Sequence, residues 1–178
     1  MFRYNTAVID ESNPNTRALI GASRAINTHK LDHTAILSWT RTISSKAINQ
    51  LHYQYNYSNY LVTSAEKFGP EININGYGYF NSDALLPSRL LWRRQEFREK
   101  LSLVRGKHTL KLGGDLLIRR NLAEARVYFP GRFNFGALPG SVVNAALAST
   151  TITALQAFNL GIPQNFQQSF GEIGRAHV

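Results

Sequence analysis

Between Leu103 and Arg120 the chain reads LVRGKHTLKLGGDLLIRR, with Leu110, Leu112, Leu116 and Ile118 on one parity and Lys111, Asp115 and Arg119 on the other. Successive side chains of a strand point to opposite faces, so the pattern predicts a strand with one apolar and one ionic face. The segment before it, EFREKLSLV, sets Phe97, Leu101 and Leu103 against Arg98, Lys100 and Ser102. A turn at Arg105-Gly106-Lys107 joins the two into a hairpin. Glu99 interrupts the apolar parity, which requires a bulge or a local polar partner.

A second hairpin lies upstream. In DHTAILSWTR, Ala35, Leu37 and Trp39 alternate with Thr34, Ile36, Ser38 and Thr40. After the turn Ile43-Ser44-Ser45-Lys46, AINQLHYQYNY places Leu51, Tyr53, Tyr55 and Tyr57 against Gln50, His52, Gln54 and Asn56. FRYNTAVI, near the N-terminus, reads as the end of one more strand, followed by the loop ESNPNTRALIGASRAINTHK. A long connection from Ser58 to about Arg94 is punctuated by Gly69-Pro70, Asn75-Gly76 and Leu86-Pro87-Ser88, and predicts turns rather than a regular element. Beyond Asn121 the alternation stops. FPGRFNFGALPG reads as loop, and Ser141 to Gly161 predicts one or two short helices ending before Pro163.

These strands, four or five in number and each about 10 to 13 residues long, exceed the ~5 to 6 usual in soluble sheets and suit a tilted bilayer crossing of ~9 to 11. Tiny turns alternate with connections of several tens of residues, the asymmetry of an outer-membrane barrel with short periplasmic turns and long extracellular loops. The expected fold is therefore all-β, an antiparallel transmembrane β-barrel fragment whose open sheet carries long loops with short helical segments. The leucines would meet lipid, while Lys111, Asp115 and Arg119 would face a hydrated lumen. Tyr53, Tyr55, Tyr57 and Tyr60 gather toward the long-loop end as an outer aromatic girdle, and Trp39 toward the short-turn end as an inner one. A soluble sandwich would alternate equally well, but its apolar face would meet a second sheet.

The stretch from Ser38 to Arg119, with SWTRTISSKAINQLHYQY, GPEININGYGYF and LPSRLLWRRQEFREKLSLVRGKHTLKLGGD, resembles the barrel of TonB-dependent outer-membrane receptors. The likeness is strongest to the large Oar-like type with a carboxypeptidase-regulatory-like N-terminal domain. RFNFGALPG and TALQAFNLGIPQNFQQSFG resemble the segment that follows in those proteins, and LSLVRGKHTLKLGGD is the most specific piece. The resemblance implies a 22-stranded barrel around a plug, energy-coupled uptake through a TonB complex, and a location in the bacterial outer membrane. Its expected partners are outer-membrane lipid, the TonB complex through parts of the full-length protein outside this chain, and an unidentified extracellular ligand. Residues 1–171 read as one incomplete barrel region. EIGRAHV, Glu172 to Val178, resembles a translated sequencing adapter and is set apart as a non-native tail.

Charge changes this picture little. Lys and Arg number 20 against 11 acids, giving +9 over 178 residues, yet the basic residues are scattered rather than gathered into a nucleic-acid-binding block. Cysteine is absent, so disulfides and thiolate metal sites do not arise. His29, His33, His52 and His108 lack metal-ligand spacing, and Gly76-Tyr77-Gly78 has neither the further glycine nor the Lys-Ser/Thr of a phosphate loop. Asp115 has no evident acid or base partner, no nucleophile elbow or zinc motif occurs, and Asn56-Tyr57-Ser58 is a chance sequon within a strand. The expected catalytic, cofactor and metal residues are accordingly none, and no enzyme is expected. Trp92, Arg93 and Arg94 suit an interfacial anchor. The loops PGRFNFGALPG and NINGYGYFNSD offer rings and amides able to contact sugars or peptides. Two other function classes fit the same pattern: a passive porin or adhesin-like barrel, and a soluble basic all-β nucleic-acid module.

Overall fold

The computed structural model describes residues 1–13, 17–66, 69–171 and 175–177. In chain order the strands are β1 (Phe2–Ser12), β2 (Ile26–Ser44), β3 (Ala47–Ser64), β4 (Glu71–Ile74), β5 (Gly78–Phe80), β6 (Ser88–Arg105), β7 (His108–Ala125), β8 (Arg132–Phe135), β9 (Leu138–Pro139) and β10 (Thr151–Ile152). Helix α1 (Ala154–Asn159), β11 (Asn165–Gln167) and β12 (Arg175–His177) follow. Residues 172–174 and 178 of the tail lie outside the described residues, and β12 runs antiparallel to the end of β7.

The long strands form one antiparallel sheet in the order β1-β2-β3-β6-β7-β12, and this sheet does not close on itself. The expected strands are present but longer than expected, at 18 or 19 residues for β2, β3, β6 and β7. The stretches Ser58–Ser64 and Ser88–Arg94, expected as connection, pair with each other through Ser58↔Trp92 to Val62↔Ser88. Eighteen residues rise about 60 Å along the strand, or about 45 Å after a tilt near 40°. That exceeds an apolar membrane band of roughly 25 Å. The surplus stands in water, where neither face has to be apolar and the alternation lapses.

Register assigns every side chain to a face, because residues directly opposite on neighbouring strands share one. Leu103↔Leu110, Leu101↔Leu112 and Phe97↔Leu116 are cross-strand pairs, continued by Tyr53↔Phe97, Leu37↔Tyr53 and Phe2↔Leu37. Among the described residues no second sheet covers this belt: Leu112 is 59% and Leu116 57% exposed. The sandwich arrangement therefore fails, since its core would lie on these leucines. From Leu110 to Ile118 the belt rises about 27 Å along the strand, or about 20 Å vertically.

The opposite face is polar and cross-linked. Arg98 Nε donates to Asp115 Oδ1 at 2.6 Å, and Arg98 and Arg94 both contact Glu96, at 2.9 and 2.7 Å. Asp115 thus has the partner that its sequence context did not suggest. Asn56 donates to Thr34 and receives from Gln54, while Lys30 and Ser58 both reach Asp32. Tyr60 and Trp92 depart from the positions that the sequence pattern predicts. Tyr60 pairs with Lys30 and Leu90, and Trp92 with Ser58 and Asn121. Both lie on the polar face, because their parity differs from that of Tyr57 and Arg93, so neither contributes to a girdle or anchor on the apolar side.

Glu99 shares the apolar face with Asn49, whose amide donates to its carboxylate at 2.9 Å. The ladder runs through Glu99 without a bulge. Gly114 lies opposite with open space around it, and a Cβ on Gly113 would collide with the Glu99 carbonyl, so the Gly-Gly pair admits the close approach of β6 at this row. Replacing Asn49 strands the carboxylate in an apolar belt, at a cost of about 1 to 3 kcal/mol. Asn49→Leu is expected to lower the guanidinium midpoint of the intact protein in lipid vesicles. The double replacement Asn49→Leu/Glu99→Leu is expected to restore it.

Candidate functional site at the long-connection end

All long connections leave the sheet at one end, while the two-residue turns at Ser45-Lys46 and Gly106-Lys107 lie at the other. The connections fold on one another. A four-stranded sheet, ordered β11-β8-β4-β5, draws β4 and β5 from one connection and β8 and β11 from another. Residues 19–21 of the first connection join through Gly21 N–H to the Tyr79 carbonyl and Tyr79 N–H to the Leu19 carbonyl, at 2.8 and 2.9 Å. Gly78 permits that approach: its φ is +145° and a Cβ would press on the Leu19 carbonyl.

One face of this cap sheet is apolar. Ile74 and Phe135 are buried with Ala154 and Ala157 of α1, and Ile72, Phe133, Leu138 and Ile152 pack around them. Phe158 meets Phe135 edge-on at 5.2 Å, and Phe166 lies 4.5 Å from Phe133. Of the one or two short helices expected within 141–161, one is present as α1, preceded by two single 3-10 turns at Gly140–Val142 and Ala145–Leu147. Thr153 and Gln156 close a capping box at its start, and Gly161 takes φ +68° after its end. Small residues dominate Ser141 to Ser149, leaving too little apolar surface to hold a longer helix.

The other face is polar. Asn73, Asn134 and Asn165 stand side by side in the register and form an amide ladder, Asn73 to Asn134 at 3.0 Å and Asn134 to Asn165 at 2.7 Å. Gln167 accepts a further bond from Asn134, and Tyr79 flanks Asn73. The loops NINGYGYFNSD and PGRFNFGALPG, named separately from sequence, are thereby brought together as the parallel neighbours β4 and β8.

The base of this face holds a charge cluster that sequence reading missed. Glu71 is fully buried. Its carboxylate lies 2.9 Å from Arg132 Nη2 and 3.3 Å from Arg24 Nη2, and accepts the Ala84 N–H at 2.7 Å. Arg24 also meets Asp83 at 3.1 Å and covers the Tyr79 ring at 5.1 Å. The cluster therefore ties together three connections, one for each of Arg24, Glu71 with Asp83, and Arg132. These residues are up to 108 positions apart in sequence, as 132 less 24, so no local pattern marks them. Beside the cluster, a cavity of about 300 Å³ opens between Ser64, Asp83, Leu86, Arg126, Phe129 and Pro130.

The histidines are dispersed. His29 pairs with Asp10, His33 with the Tyr4 hydroxyl and His52 with Ser38. Among the described residues no three His, Asp or Glu side chains gather as a metal site. The cap can therefore present fixed amides, an aromatic ring and a largely apolar cavity to a ligand.

A family model described as an outer membrane beta barrel domain matches residues 1–177. Neither a curated protein nor a solved structure gives a significant match.

Removing one member of a buried ion network leaves its partners unpaired, at a cost of about 3 to 5 kcal/mol. Glu71→Ala is therefore expected to loosen the cap while leaving the long strands intact. Hydrogen exchange of the intact protein should show faster exchange over 71–80 and 132–135, with protection of β6 and β7 unchanged.

Proposed function

The chain belongs to the family of outer-membrane β-barrel domains and lies in the bacterial outer membrane; on that footing we propose that it is part of the barrel of a TonB-dependent receptor that takes up a substrate by energy coupling. Long connections of such barrels lie outside the cell, so the cap faces the medium. The observation that carries the reading is the folding of three connections into one rigid polar surface, which suits capture of a specific ligand better than an open mouth for passive diffusion. The resemblance of Ser38 to Arg119 to these receptors supports the same reading. A soluble nucleic-acid module does not survive the outer-membrane location. The proposal assigns the chain no enzymatic step.

Ligand capture would fall to Asn73, Asn134, Asn165, Gln167 and Tyr79, a set of donors and acceptors beside one ring. Such a surface recognises glycans or extended peptides by hydrogen bonds and stacking. The energy-transducing complex would act through parts of the full-length protein outside residues 1–178.

Uptake of labelled oligosaccharide and peptide pools should be compared in cells producing the full-length protein, in cells lacking it, and in producing cells treated with a protonophore. Accumulation is expected to drop to the level of the deletion when the proton gradient collapses. Uptake that persists without the gradient would establish a passive porin instead, and surface binding without entry an adhesin. Replacing Asn165 and Gln167 by Ala at the open edge of the ladder is expected to weaken capture about tenfold without altering the amount of protein in the outer membrane.

A further inference from the structure

Just above the leucine belt, one row of the apolar face runs Thr6, His33, Tyr57, Arg93, Arg120 across five strands. Arg93 and Arg120 are directly opposite each other and both exposed. Among the described residues neither has an ion pair or hydrogen-bond acceptor for its guanidinium. Their neighbours differ. On the polar face Arg94 and Arg98 are held by Glu96 and Asp115, and on the apolar face Arg89 donates to Asn59 at 2.8 Å. Like charges set opposite one another across a ladder repel, so a bare arginine pair is unfavourable unless an anion lies between the two.

The position decides which anion. This face meets lipid, and the row is the first above the leucine belt to carry cationic side chains. One further, largely apolar row of Val8, Leu31, Leu91 and Leu122 follows, and then Asp10, His29, Arg89 and Glu124, so the pair lies at the margin of the apolar band, within reach of headgroups. Adjoining the pair through Tyr57 is a groove of about 380 Å³ lined by Tyr4, Leu31, His33, Ala35, Tyr55 and Tyr57. Its walls are fixed: the Tyr4 hydroxyl bonds His33 Nδ1 at 2.7 Å, and the His33 ring lies 6.0 Å from Tyr4 and 5.8 Å from Tyr57. Planar guanidinium forks match phosphate oxygens in pairs, and aromatic walls accept sugar rings or the first carbons of acyl chains.

We propose that Arg93 and Arg120 form a phosphate site for an outer-leaflet glycolipid, with the tyrosine-lined groove receiving the sugar or upper chain of the same molecule. The site depends on the barrel and its orientation and not on energy coupling. It would fasten the barrel to one kind of lipid at its outer rim, adding a specific contact to the general attraction of the belt for hydrocarbon.

The full-length protein is to be folded into phosphatidylcholine nanodiscs containing either diphosphorylated lipid A or the same lipid stripped of phosphate, and the lipid retained after detergent extraction measured by native mass spectrometry. Retention of the phosphorylated form is expected to exceed that of the stripped form by at least about tenfold, the effect of two charge-assisted bonds. R93Q/R120Q should abolish the difference, R93K/R120K should preserve part of it, and Arg119→Gln on the polar face should leave it unchanged. Equal retention of both lipids, or an undiminished difference in R93Q/R120Q, would overturn the proposal. So would displacement of the bound lipid by millimolar inorganic phosphate, which would mark a site for a soluble anion. Because retention is read on purified protein without a proton gradient, its outcome is independent of the uptake experiment.

Discussion

Inside hydrocarbon a strand has nowhere to place its backbone N–H and C=O groups except on a neighbouring strand, since no water is present to receive them. The ladder between β6 and β7 meets that constraint without a break from Ser88↔Ala125 to Arg105↔His108. The β2–β3 ladder departs from regular pairing only at Thr42 and Ser44, beside its turn. Once the ladders are continuous, the faces follow. A slip of one residue would exchange the leucines for Lys111, Asp115 and Arg119. The same constraint makes Glu99 tolerable only because Asn49 is within reach, and requires the outer edges of the open sheet to find further strands.

Where the strands leave the bilayer, water satisfies the backbone and the chain changes strategy. Short strands from distant connections assemble into the cap, with a small apolar core on one side and amides on the other. The buried Glu71 pairs with arginines from two other connections, so the cap holds together through charge where the belt holds through hydrocarbon contact. Removing any one member would leave a buried charge uncompensated, so the arrangement of the loops depends on the whole network. The result is a defined surface on tall strands, the geometry that ligand capture needs.

The barrel part was legible in the sequence because period-two alternation has a direct physical cause in the membrane. Leu103 to Arg120, the turn at Arg105 to Lys107 and the hairpin ending near Tyr57 all appear where the pattern puts them. Alternation fades above the bilayer, which is why Ser58 to Ser64 and Ser88 to Arg94 were expected as loop and are strand. Composition alone groups Trp92 and Tyr60 with the girdle, whereas parity counted from Arg93 and Tyr57 places them on the other face. The cap was legible only as two loops rich in rings and amides. Its parallel pairing of β4 with β8, and the meeting of Arg24, Glu71 and Arg132, arise from contacts between residues far apart in sequence, which no local pattern encodes.

The central claim is that one parity of the β6–β7 hairpin touches lipid and the other touches water. Residues 1–178 contain no cysteine, so in a full-length protein whose cysteines elsewhere are replaced by serine, single replacements Leu110→Cys, Lys111→Cys, Leu112→Cys, Asp115→Cys, Leu116→Cys and Arg119→Cys give unambiguous labelling sites in outer membranes. Spin labels at 110, 112 and 116 should be relaxed by oxygen dissolved in lipid and shielded from an aqueous nickel chelate, with the reverse at 111, 115 and 119. Uniform access of the chelate to both parities, or shielding of the leucine parity from oxygen and chelate alike as in a packed protein core, would contradict the account.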